Sequence, residues 1–266
     1  MKVGIIQGPF KLSSARENWC TFENNVDSLV QQKVNMICIC EEFLGKLSFV
    51  MEKCLKLAKT YNIFITPGVL IENSKDSLKP YIISIVIDPE GRILVKHRKV
   101  FMPPQDSEYF NAGNSFDDCI FDFLGIRSAI LICGDIISPI ALRYLKQRYN
   151  IELVILLLRL PEDENFFIPL VKIRAAENNV AILMVNVYEK SFHVKIASRL
   201  ILPIENDIEI CEKDGIGTIS IDVVSLSESL QLTKENFLRS KQNSIIKDMI
   251  YNAFENEKRL FSIVKK

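Results

Sequence analysis

Unbroken apolar runs of strand length, each ending abruptly in polar or reactive residues, constrain this chain more than any other feature. Residues 36–40, 129–132 and 153–158 are the clearest. A short run with no polar alternation reads as a strand covered on both faces. Between such runs lie segments with helical spacing. Residues 14–34 carry Phe22, Val26, Leu29 and Val30 on one face, and residues 48–59, 139–149 and 166–179 behave likewise. Further strands are predicted at 3–7, 63–71, 81–87, 93–97, 120–123, 126–132 and 180–187, with short ones at 200–202, 208–211 and 217–221. Pro89-Glu90-Gly91 marks a tight hairpin turn. Strands that alternate with helices, together with strands joined by tight turns, predict an α/β layered domain with both parallel and antiparallel pairing.

The 266 residues suffice for a substantial core and show no linker, repeat or low-complexity run, so a single domain over 1–266 is expected. Its last part, from about residue 225, reads as an extension used in packing or oligomerisation. There Ile245, Ile246, Met249, Ile250, Ala253 and Phe254 share an apolar helix face. Lys plus Arg (33) balance Asp plus Glu (33), which gives no pull toward nucleic acid or anionic membrane. No segment reaches the roughly 20 apolar residues of a spanning helix, and no signal peptide is read.

The seven cysteines are odd in number and lack repeated CxxC spacing, so neither a disulfide framework nor a metal site is expected. A reducing, cytoplasmic setting suits them. Only His97 and His193 are available as histidine bases. Any nucleophile in this chain therefore calls for a different base.

Three strand ends carry reactive groups. Ile39 and Cys40 run into Glu41 and Glu42. Lys96 and His97 run into Arg98 and Lys99 before a polar loop over 102–115. Ala129 to Ile132 run into Cys133, Gly134 and Asp135, with Pro139 following. Ligands collect at the carboxyl edge of such sheets. A cysteine followed by glycine and a helix start offers a backbone N–H for an oxyanion. Alternation sends Glu41 and Glu42 to opposite sides of the strand, so at most one of them faces Cys133.

These blocks, with Arg174-Ala175-Ala176-Glu177-Asn178 and the opening Gly4-Ile5-Ile6-Gln7, resemble in order the motifs of the nitrilase, or carbon–nitrogen hydrolase, superfamily over about residues 2–222. The resemblance implies a four-layer α-β-β-α sandwich with mixed sheets. It implies thiol-dependent hydrolysis of a non-peptide carbon–nitrogen bond in a small amide, through a thioester on Cys133, without a cofactor. It maps the catalytic glutamate to Glu42 and the lysine to Lys99, with Gly134 at the oxyanion and a homodimer or larger homo-oligomer as the assembly. Asp106 stands where the family often has a second glutamate, and Glu108 is its alternate. Glu41 replaces the usual proline, Ile140 the usual glutamate after Pro139, and Ile196 a common glycine.

Each of these residues also has a bland reading: Cys133 as a core cysteine, Lys99 as part of a basic cluster with Lys96 and Arg98, and Arg174 with Glu177 as a helix ion pair. Asp135 is expected to fix the elbow by hydrogen bonds, and both histidines to be structural or surface residues. Phe43, Tyr109, Phe110 and Leu160 are expected to line the pocket. Nitrile or N-carbamoyl hydrolysis and acyl transfer are variants on the same site. A non-catalytic ligand-binding member is the alternative of a different class.

Overall fold

The apolar runs become the central strands of two sheets. In the first, β1 (Lys2–Ile6), β2 (Met36–Ile39) and β3 (Phe64–Thr66) lie parallel, with β1 and β2 paired through Val3↔Met36 and Ile6↔Ile39. Antiparallel partners complete it: β4 (Leu70–Glu72) and β6 (Ile93–Arg98) both pair with β5 (Tyr81–Ile87), which also meets β3. The computed structural model describes residues 1–8, 14–41, 47–160, 166–187, 196–203, 208–210, 216–221, 226, 230 and 231. The second sheet has β7 (Ile120–Phe123) hairpinned onto β8 (Ile126–Ile132), then β9 (Leu153–Leu158) and β10 (Ala181–Asn186) in parallel. Two short antiparallel strands, β11 (Arg199–Ile201) and β12 (Ile208–Glu209), form its far edge, while β13 (Ile216–Ser220) returns to pair with β1.

Helices cover the outer faces. α1 (Ala15–Gln31) buries Trp19, Phe22, Val26 and Leu29, one stripe at helical spacing, and packs on β1 and β13. Ser14 caps it by accepting a hydrogen bond from the Glu17 amide. α2 (Leu47–Tyr61) packs on β3, β4 and β5. After the short turn α3 (Pro104–Ser107), α4 (Pro139–Tyr149) packs against α5 (Phe167–Asn178), which lies on β10 and β11. The sheets meet through β5 and β8, and Phe64 and Phe123 pack edge to face with centroids 5.3 Å apart. The result is an α-β-β-α sandwich with mixed sheets, as expected from the sequence.

Two local expectations change. The single strand expected over 63–71 is divided, because Pro67 cannot donate to a ladder and Gly68 takes φ +74°, leaving β3 and β4 as separate pieces. The loop over 102–115 contains the helical turn α3. The terminal helix expected around Ile245 to Phe254 lies outside the described residues. Among the described residues, no helix is long and apolar enough to cross a membrane.

One contact between the sheets positions the site. The Glu41 amide, just past β2, donates to the Leu158 carbonyl at the end of β9, at 3.2 Å. The carboxyl ends of β2, β8 and β9 thereby open on one edge.

Candidate active site

Cys133 opens a 3-10 turn (Cys133–Ile136) directly after β8. Its φ of +39° is left-handed, a conformation that costs a β-carbon-bearing residue about 1–2 kcal/mol. The strand thus breaks sharply at the sulfur. Gly134 makes the break possible, since a Cβ there would stand 2.5 Å from the Phe101 carbonyl oxygen. On the far side of the turn, Arg174 donates from Nε to the Ile136 carbonyl and from Nη2 to that of Ile137, and pairs with Glu177 as the sequence suggested.

Lys99 follows β6. Its amide donates to the Ile82 carbonyl at 2.9 Å and its carbonyl accepts from the Gly113 amide at 2.8 Å, so the backbone is held from both sides. The residue is 1% exposed. A buried ammonium must be paired, and Nζ lies 2.8 Å from Glu41 Oε1 and 3.2 Å from Asp106 Oδ2. Burial works against the charge. The carboxylate of Glu41, then Cys133 and Asp106, outweigh it and hold the ammonium above its ordinary range.

The carboxylate brought to Lys99 is that of Glu41. Its carboxyl group is also hydrogen-bonded to the Cys133 thiol. Glu42, favoured from the motif, lies outside the described residues, as does Phe43. Burial raises the Glu41 carboxyl above its ordinary range, and the Lys99 charge and hydrogen bond offset this in part. Burial and the Glu41 charge hold Cys133 well above the ordinary thiol value, with Lys99 acting in the other direction. The resting arrangement is a thiol beside a carboxylate of raised basicity and a fixed cation.

These groups border a cavity of about 580 Å³, a size suited to a small organic ligand. Glu41, Lys99, Asp106, Cys133, Gly134 and Arg159 supply its polar wall. Val69, Ile71, Ile82, Phe110, Leu160 and Phe167 are among its apolar residues. Phe110 and Leu160 are therefore placed as expected. Tyr109 is 67% exposed and lines no part of this cavity. Glu108 is also exposed and outside it, so Asp106 alone supplies the second carboxylate.

Sequence reasoning missed two contributors, Arg159 and Asn186, whereas the structural alternative for His97 holds. The Arg159 backbone N–H, just past β9, donates to the Cys133 sulfur. Asn186 accepts from the Leu160 amide and donates to the Ile196 carbonyl, both at 2.9 Å, which anchors the cavity wall. His97 is wholly buried against Asp135. A polar residue ending an otherwise apolar run was the available signal for Arg159 and Asn186. Asp135 behaves as expected and fixes the elbow: its Oδ1 accepts from Val100 and Phe101, and its Oδ2 from Ile132. Among the described residues, no group of three or more His, Cys, Asp or Glu side chains is arranged to hold a metal ion.

Residues 2–189 match the family model for carbon-nitrogen hydrolases. Among solved structures, the chain is similar to the NitN amidase from Neterenkonia sp. AN1, with 18% identity, a TM-score of 0.73, and coverage of 90% of this chain and 99% of that one. It is also similar to a cysteine-to-alanine variant of the amidase from Nesterenkonia sp. AN1 in complex with butyramide: 17% identity, TM-score 0.73, 90% of this chain and 96% of that one. A further variant of that amidase carries acrylamide added to its active-site cysteine, and matches at 17% identity with a TM-score of 0.72 over 90% of this chain and 99% of that one. At these identities the structural likeness establishes the fold.

Proposed function

The chain belongs to the carbon–nitrogen hydrolase family, and on that footing we propose that it hydrolyses the carbon–nitrogen bond of a small amide through a thioester on Cys133. The observation that carries this reading is the meeting of Cys133, Glu41 and Lys99 at one cavity wall. Glu41 takes the thiol proton as the sulfur attacks the amide carbon. The tetrahedral oxyanion is held by the Lys99 ammonium and the Gly134 N–H. Collapse breaks the carbon–nitrogen bond, and the nitrogen leaves with the proton that Glu41 carries. Water then attacks the thioester, giving a proton to Glu41, and the acid departs with Cys133 restored. Asp106, bonded to Lys99, holds the ammonium in place. A reducing compartment such as the cytoplasm suits a mechanism that needs a free thiol.

The test is ammonia release from a panel of aliphatic amides, nitriles and N-carbamoyl compounds, with and without an added amine acceptor. Turnover of amides is expected. Cys133→Ala is expected to lower it by about 10⁴-fold or more, and iodoacetamide to label Cys133 faster than any other cysteine. A product containing the added amine would assign acyl transfer instead. Cys133 labelling no faster than a free thiol, together with no turnover across the panel, would replace the enzymatic reading with ligand binding.

We further infer a homodimer or larger assembly. Ile137 and Phe166 border the cavity, but Ile140 on α4 and Ile173 on α5 are 62% and 55% exposed on the outer, packed helix pair. Isolated exposed apolar residues need no explanation, but large ones on two adjoining helices favour a partner surface. Light scattering on a sizing column is expected to give at least twice the mass of one chain, and a monomer would contradict the inference.

A further inference from the structure

His97 lies two residues before Lys99, at the end of β6, with no exposed surface. Its Nδ1 is 3.1 Å from Asp118 Oδ1 and its Nε2 is 2.9 Å from Asp135 Oδ2. A carboxylate offers only acceptors, whereas a neutral imidazole has a single N–H. Both ring nitrogens face carboxylate oxygens, so both must donate, and only the imidazolium does that. Asp135 cannot be the donor. Its Oδ1 already accepts from the Val100 and Phe101 amides, and its Oδ2 from the Ile132 amide.

Asp135 therefore joins the segment after Lys99 to the residue before Cys133, and His97 supplies its only charged partner among the described residues. We propose that His97, as an imidazolium clamped between Asp118 and Asp135, is a positioning residue that fixes Lys99 relative to the Cys133 elbow. The rate consequence rests on the hydrolase reading above; the charge state and the clamp do not.

The surroundings are consistent with this. The 3-10 turn Asp117–Cys119 presents Asp118 and Cys119, whose thiol is pushed well above its ordinary value by burial and by Asp118 and Asp135. Asp117 of that turn is engaged by Tyr144 and Tyr149. β5 sets the buried hydroxyl of Ser84 opposite His97, and the Phe116 ring stacks on the imidazole at 5.9 Å. Burial disfavours the charge, but the hydrogen bonds and charges of Asp118 and Asp135 outweigh it, raising the group from 6.5 to about 9. Since the folded-state value is the higher one, the clamp contributes fully below pH 6.5 and is lost as the pH rises through about 9. Above that point a bare ring nitrogen faces a carboxylate, and Asp135 loses a partner.

With only two histidines in the chain, His193→Gln leaves a single imidazole to follow by ¹⁵N NMR. The expected result is two protonated ring nitrogens at neutral pH and a midpoint near pH 9. Asp118→Asn, which keeps the shape and removes a charge, is expected to lower that midpoint by about one pH unit or more. His97→Gln is expected to reduce kcat by about tenfold or more with KM nearly unchanged, to slow alkylation of Cys133, and to abolish the loss of rate expected of the parent above pH 9. A folded-state midpoint at or below 6.5, or an Asp118→Asn midpoint equal to the parent's, would overturn the proposal. So would a folded His97→Gln protein that matches the parent in Cys133 alkylation at every pH. If the chain turns over no amide at all, the NMR midpoint and the alkylation rate still decide the clamp, and that failure falls on the hydrolase reading alone.

Discussion

Replacing Glu41 by Gln is expected to lower kcat/KM by about 10²–10⁴-fold, the usual contribution of a positioned general base, whereas Glu42→Gln is expected to stay within about threefold of the parent. The amide of Gln keeps an oxygen for Lys99 but cannot take the Cys133 proton. Because the Lys99 Nζ contact at 2.8 Å can still be made, the fold is expected to survive. A circular-dichroism melt would separate lost chemistry from lost structure. Burial raises the Glu41 carboxyl, so the acidic limb of the parent's rate profile should lie above the range of an ordinary glutamate. Glu41→Gln should flatten that limb. The reverse ranking, with Glu42→Gln inactive and Glu41→Gln active, would move the base by one residue and remove the support that the Glu41–Lys99 pair gives to the mechanism.

Lys99→Met tests the other half of the pair and acts on both activity and stability. Met matches the stem of lysine and removes the charge. The oxyanion loses its cation, and activity is expected to fall by about 10²–10³-fold. Glu41 and Asp106 then face each other across the cavity wall with no ammonium between them. Breaking a buried pair from one side costs about 3–5 kcal/mol; the side chain of Asp106 is 36% exposed, which places the expected loss toward the lower figure. The sign with pH is opposite to that of a normal salt-bridged acid. Without Lys99 the native carboxyl groups bind protons more tightly than in the unfolded chain, so the variant should gain stability as the pH falls from 8 toward 5. Denaturant midpoints measured across that range check it. A variant as stable as the parent at every pH would show that the pair contributes nothing to the fold.

The order of elements was readable because burial on both faces writes itself as unbroken apolar sequence. Met36 to Ile39 and Leu153 to Leu158 could hardly be anything but central strands. Cys133 and Gly134 were readable for a related reason: they follow directly on such a run, where the chain turns out of a sheet. Lys99 was marked by the basic end of a strand together with the family resemblance, and Asp106 by the resemblance alone. Glu41 against Glu42 was not readable. Alternation separates the two side chains, but β2 is apolar on both faces, with Met36 and Cys38 on one and Ile37 and Ile39 on the other, all fully buried. The pattern therefore carries no sign of which face looks toward the second sheet. Tyr109 and Glu108 were misplaced for a similar reason, since a polar loop with one helical turn has no periodicity long enough to say which way it faces.

Local sequence, through hydrophobic periodicity and the steric needs of turns, determined which segments are strands or helices and where the chain breaks at a sulfur and an amine. Only the packing of one sheet on the other decided which carboxyl meets that amine and that His97 is caught between two aspartates, and only the pairing of β8 with β9 brings the Arg159 amide to the sulfur. Those contacts join residues 21 to 58 positions apart, and their distances follow from how strands pair and layers seat, which no short stretch of sequence encodes.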